Sequence, residues 1–153
     1  MIFTEVQLDR LSGVSYEIST AENDGIVWND RDYKFSNLPS YLVGALLFQV
    51  PFKSIPKGTV IQITVQNPST IYIAHEEGGR SGGFQNSLTN SGWTLENNNA
   101  QISTGCCTFK YVWKKFVSAN GPTSITLPET TTGETVHSIF VKGNSFNINI
   151  ILN

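Results

Sequence analysis

The sequence predicts an all-β fold, an antiparallel β-sandwich of jelly-roll type with about ten strands. Three observations predict it. Apolar and polar residues alternate with a period of two through most of the chain, and turn-forming residues recur about every ten positions. No stretch is a convincing amphipathic helix, and a parallel sheet would need crossover helices to connect its strands.

Ile2 to Leu8 alternates, with Ile2, Thr4, Val6 and Leu8 on one face. After Gly13, Val14 to Ser19 alternates again, and Asn23-Asp24-Gly25 makes a polar turn. Ile26 to Trp28 and Tyr33 to Phe35 read as short strands around the turn Asn29-Asp30-Arg31-Asp32. Tyr41 to Val50 is apolar enough for a short helix, but Gly44 near its start and Pro51 at its end favour a buried strand.

Thr59 to Val65 is β-branched at nearly every position, and Thr70 to Ala74 resumes the pattern after Asn67-Pro68-Ser69, which reads as a hairpin. Beyond His75-Glu76-Glu77, the glycines 78, 79, 82, 83 and 92 predict a long polar loop outside the core. Gly92 to Leu95 reads as a short strand. Cys107 to Val117 is a long aromatic strand placing Cys107, Phe109, Tyr111, Trp113 and Lys115 on one face. Asn120-Gly121 turns into Thr123 to Leu127, Thr135 to Lys142 alternates, and Phe146 to Leu152 is the most regular period-two segment. That last strand is expected to pair near the first.

At 153 residues, with 39% apolar and 14% charged residues, the chain suits a single domain, residues 1–153, with a packed core under a neutral polar coat. A net charge of −2 gives no field to gather phosphates, so nucleic acid is not an expected partner. The basic cluster Lys110, Lys114 and Lys115 reads as a solvated strand end rather than an anion site. No run is long enough to span a membrane, and residues 1–20 lack the pattern of a signal peptide. Cys106 and Cys107 are adjacent, so no conventional bridge can staple the fold; reduced thiols are expected, with a vicinal disulfide and an intermolecular link as alternatives.

The order of several short words resembles a β-sandwich accessory module of bacterial polysaccharide-active enzymes and other extracellular or surface proteins. They are Arg31-Asp32-Tyr33-Lys34-Phe35, Leu38-Pro39, Leu42-Val43-Gly44-Ala45, Tyr72-Ile73-Ala74, Gly92-Trp93, Val112-Trp113-Lys114-Lys115-Phe116 and Ile139-Phe140-Val141. The resemblance spans about residues 28 to 142 and implies a galactose-binding-like or jelly-roll sandwich without enzymatic activity, placed outside the cell or on its surface. The chain departs from that module after Ala74, where His75-Glu76-Glu77 and the glycine-rich insertion replace an aspartate and a compact loop.

Chemistry-bearing constellations are sparse. His75 and Glu76 point to opposite faces of a strand, His137 is distant in sequence, and a zinc site needs three or four converging ligands. Asp24, Asp30 and Asp32 lack the spacing of a calcium loop. Cys107 lacks an adjacent base, and the stretch Gly78 to Gly83 lacks the lysine of a phosphate loop. No cofactor is expected.

Sugar binding asks for an aromatic face flanked by planar polar groups. The 76–93 loop offers Trp93 with Arg80, Gln85, Asn86, Asn90 and Glu76, although Trp93 taken alone reads more readily as a plug at the sandwich end beneath the loop. The expected function is therefore a non-enzymatic module binding a glycan or a protein partner through that loop. A self-assembling structural subunit, a homo-oligomer built on exposed strand edges, is the alternative; a hydrolase using His75 and Glu76 ranks third.

Overall fold

The computed structural model describes residues 5–9, 17–53, 60–77, 84–127 and 137–143. It is an antiparallel β-sandwich. The strands are β1 (Glu5–Asp9), β2 (Glu17–Thr20), β3 (Leu46–Gln49), β4 (Val60–Val65), β5 (Ser69–Glu76), β6 (Thr94–Asn97), β7 (Ile102–Ser103), β8 (Thr108–Val117), β9 (Thr123–Thr126) and β10 (His137–Gly143), with one helix, α1 (Phe84–Asn90). Among these, β1, β4 and β9 form a small sheet in the order β1-β4-β9, and the large sheet runs β2-β3-β10-β5-β8-β6 with β7 also on β8. The expected strand after Gly143 and the segments 1–4, 10–16, 54–59, 78–83 and 128–136 lie outside the described residues.

Directly paired residues share a face of the sheet. On one face of the large sheet the register aligns Ile73 with Ile139 and Trp113, and Ile71 with Val141. These residues join Ile61, Ile63 and Val65 of β4 in one buried core. The opposite face carries Phe140, Tyr72 and Phe109, and the segment 21–45 lies over it. Phe35 meets Phe140 at 5.9 Å between ring centroids, Tyr41 meets Tyr72 at 5.5 Å, and Trp28 meets Phe109 at 6.3 Å. Full burial of Phe35, Phe109 and Phe140 contributes roughly 1.5–3 kcal/mol each. With both faces of its central strands covered, β10 is buried at five successive positions, His137 to Val141.

Several expectations need correcting. Strands β4 and β5 are not a hairpin: β4 pairs with β1 and β9, whereas β5 pairs with β10 and β8. A tight hairpin turn needs residues at positive φ, and Asn67 is not among those that adopt it. The link therefore carries the chain from one sheet to the other, and the Gln66 carbonyl accepts from Gly121 N–H at 3.0 Å where the chain later crosses back.

The strand expected over Tyr41 to Val50 begins only at Leu46. Gly44 at φ +89° turns the preceding segment, in which Ala45 N–H donates to the Leu42 carbonyl at 3.1 Å.

In β8 the pairing slips between Tyr111, opposite His75, and Phe109, opposite Glu76. This β-bulge leaves Lys110 unmatched and moves Phe109 onto the face that meets Trp28, away from Tyr111 and Trp113.

The glycine-rich insertion does not stay outside the core either, because α1 buries Leu88 completely. Finally, Cys106 and Cys107 are joined in a vicinal disulfide rather than held as free thiols. The turn is closed by Thr104, whose N–H donates to the Cys107 carbonyl at 3.0 Å and whose hydroxyl donates to the same oxygen at 3.1 Å.

Candidate functional site

Among the described residues singled out in the 76–93 segment, Trp93, the α1 side chains and Glu76 lie in different surroundings. Trp93 is only 6% exposed and belongs to the core, its N–H donating to the Leu88 carbonyl at 3.0 Å. Its side chain is packed in the core rather than standing open to solvent. Gln85, Asn86 and Asn90 are exposed on α1, and Arg80 lies outside the described residues. Glu76 ends β5, where it lines a cleft of about 410 Å³ with Glu77, Asn99, Gln101, Thr108 and Lys110. Lys110 Nζ pairs with Glu77 at 2.9 Å there, and no aromatic side chain is among the described residues that line the cleft.

A second open region surrounds the Asn29 to Tyr33 turn. One cleft of about 610 Å³ is lined by Glu17, Glu22, Arg31, Asp32 and Gln49 among others, and a neighbouring one of about 550 Å³ by residues 29–33. Its side chains mostly serve the fold. Asp30 accepts from the Phe52 and Lys53 N–H groups at 2.7 and 3.2 Å, and Gln49 Nε2 donates to the Ile26 carbonyl at 2.7 Å. Tyr33 packs against Gly105, where an added Cβ would come within 3.3 Å of the tyrosine side chain.

A third cleft combines an open aromatic ring with polar groups. Strand β6 pairs with β8 only as far as the rung Thr94–Lys114, whereas β5 continues alongside β8 to Val117. Past the end of β6 a groove of about 330 Å³ opens, lined by Thr70, Tyr72, Gly92, Thr94, Lys114, Lys115 and Phe116. Gly92 adopts φ +82°, which lets the chain turn into β6 beside Lys115. Phe116 is 59% exposed, the most open of the large apolar side chains given for the described residues.

Phe116 stands opposite Thr70, on the same face as the neighbouring Tyr72–Lys114 rung. Tyr72 is half-buried against Tyr41, and burial followed by the nearby Glu96 carboxylate pushes its hydroxyl above the ordinary tyrosine range. Lys114 Nζ pairs with Glu96 at 2.7 Å, and that hydrogen bond raises the lysine pKa. Lys115 Nζ donates instead to the Ser91 carbonyl at 2.7 Å. The basic cluster of the sequence is thus split: Lys110 serves the first cleft, and Lys114 and Lys115 line the groove.

The interior holds a pair of imidazoles that the sequence placed apart. His75 and His137 are directly opposed on β5 and β10. Trp113 Nε1–H donates to His75 Nε2 at 3.1 Å; an indole can only donate, so His75 carries its proton on Nδ1, which donates to the Glu76 carbonyl at 2.9 Å. Burial lowers the pKa of His75, and burial followed by the neighbouring His75 drives that of His137 down to about 3. Both rings are neutral packing elements at ordinary pH. Among the described residues no three His, Cys, Asp or Glu side chains gather to hold a metal ion.

No protein-family model matches the sequence, and no curated protein matches it. Two solved structures share its fold. One is a β-glucuronidase of glycoside hydrolase family 2, similar over 89% of this chain and 14% of that one, with 12% identity and a TM-score of 0.64. The other is a GH138 enzyme targeting pectin rhamnogalacturonan II, similar over 96% of this chain and 17% of that one, with 12% identity and a TM-score of 0.63. The chain therefore has the fold of one portion of each of these larger glycoside hydrolases. At such low identity the likeness concerns the fold and carries no residue's role across.

Proposed function

We propose that this chain is a non-catalytic, carbohydrate-contacting β-sandwich module whose contact surface is the groove between Tyr72, Thr94 and Phe116. The observation that carries this reading is the exposed Phe116 ring standing over a polar groove at a strand edge. An open phenyl face suits the apolar C–H face of a pyranose, while the Thr70 and Thr94 hydroxyls and two ammonium groups suit its hydroxyls.

Likeness of fold to portions of two carbohydrate-active enzymes supports a carbohydrate-related role, and the Cys106–Cys107 disulfide fits an oxidising, extracellular setting. A protein neighbour is the second reading. It is favoured by Phe116 itself, a 59% exposed apolar ring that a protein partner would cover.

Calorimetric titration of neutral and acidic oligosaccharides against the wild type and Phe116→Ala tests the proposal. A roughly tenfold or greater loss of affinity in the variant, with the fold intact by circular dichroism, is the expected result. Equal affinity in the two proteins removes the groove from consideration.

A further inference from the structure

We infer that the groove takes an anionic sugar, a glycan bearing a carboxylate or sulfate group, with Lys115 as the residue that selects the charge. The inference rests on the groove being the glycan-contacting surface.

The two ammonium groups of the groove are not equivalent. Lys114 is paired with the Glu96 carboxylate at 2.7 Å, so most of its charge is compensated locally. Lys115 is held by a neutral acceptor, the Ser91 carbonyl, at 2.7 Å, and among the described residues it makes no ion pair. An ammonium has three N–H donors. One is used by Ser91, which fixes the group at the rim and leaves two for a ligand. Holding the cation by a backbone carbonyl lowers the cost of ordering a long side chain when a ligand binds.

The lining sets this groove apart from the other clefts. No aspartate or glutamate lines it, whereas Glu76 and Glu77 line the cleft at the end of β5, and Glu17, Glu22 and Asp32 line the cleft beside β2. In those two regions the carboxylates outnumber the cations, Lys110 and Arg31 respectively, whereas among the described residues of the groove Glu96 offsets Lys114 and Lys115 remains as the uncompensated charge. This local excess of positive charge occurs in a chain whose formal charge is −2, so it is a feature of the site rather than of the whole surface. The sugar ring would lie on Phe116; Lys115 pairs with Ile71 and so leaves β8 on the opposite face, and its long side chain brings Nζ to the groove rim beside Ser91 and Gly92, past the end of β6, where the acidic substituent would meet it.

The test uses oligogalacturonate and glucuronate-containing oligosaccharides, each titrated beside its own methyl ester, which keeps the sugar and removes the charge. Expected for the wild type is about tenfold tighter binding of the acid than of the ester at low salt, shrinking as salt is raised. Lys115→Gln should erase that preference, so that acid and ester bind alike whatever the change in ester affinity, and Lys115→Arg should retain it. Acid and ester binding with equal affinity overturns the inference and leaves the groove as a neutral-glycan site. An acid preference that survives Lys115→Gln also overturns it. Failure of every acid and every ester to bind overturns both the inference and the reading beneath it.

Discussion

His75 of β5 and His137 of β10 oppose each other across one antiparallel rung in the interior, 1% and 6% exposed respectively. The charged group nearest this pair in sequence is Glu76, and the Tyr111 ring lies against His75 at 5.3 Å between centroids. Both histidine pKa values lie below the unfolded value of 6.5. Below pH 6.5 the unfolded chain therefore binds protons that the folded chain refuses. The stabilisation is complete above that pH and is lost as pH falls toward the folded value, about 3 for His137. Urea unfolding across this window should show stability dropping by about 1.4 kcal/mol per pH unit for each histidine that stays neutral. The His137→Leu variant should show a shallower slope.

The indole of Trp113 depends on His75 as its acceptor. Replacing His75 with Leu leaves a buried N–H without a partner, at a cost of about 1–3 kcal/mol. Equilibrium unfolding at neutral pH measures it, and faster hydrogen exchange at the Trp113 indole would identify the cause.

The vicinal disulfide closes a loop between neighbours in sequence, and Cys106 is exposed. Loop-closure entropy at this length amounts to only about 1 kcal/mol. Adding a phosphine reductant should therefore shift the melting temperature by no more than about 4 °C and leave the β-sheet spectrum unchanged.

Trp93 and Phe116 should behave as opposites. Trp93→Ala removes a core side chain and should cost about 3–5 kcal/mol of stability. Phe116→Ala removes a 59% exposed ring and should alter stability by no more than about 0.5 kcal/mol while weakening glycan binding. Thermal melts and titrations on the same pair of variants separate the two roles.

Alternating letters placed β5, β8 and β10, yet only β5 comes near that alternation in its burial, since the bulge interrupts β8 and β10 is buried at five successive positions. Alternation could not reveal which strands pair. The link Gln66–Pro68 looks like a hairpin turn, yet it joins two sheets, and that choice is made by partners distant in sequence. The slip at Lys110 is equally invisible, since one unmatched residue leaves the aromatic pattern of β8 looking unbroken.

Helix α1 is seven residues long, and its burial of Leu88 is too short a signal to show helical periodicity beside so many glycines. Trp93 was recognised as both a binding candidate and a plug, and only packing decides between them. The groove escaped notice because Thr70, Thr94 and Phe116 come from three strands. The one readable hint was the clustering of Lys114 and Lys115 beside an aromatic residue.

Backbone amide and lysine side-chain NMR during titration with an oligouronide tests the central claim most directly. Shifts concentrated at Thr70, Tyr72, Thr94, Lys115 and Phe116 are the predicted result. Shifts confined to Asn29–Tyr33 or to the Glu76–Lys110 cleft, or none at saturating ligand, would contradict it.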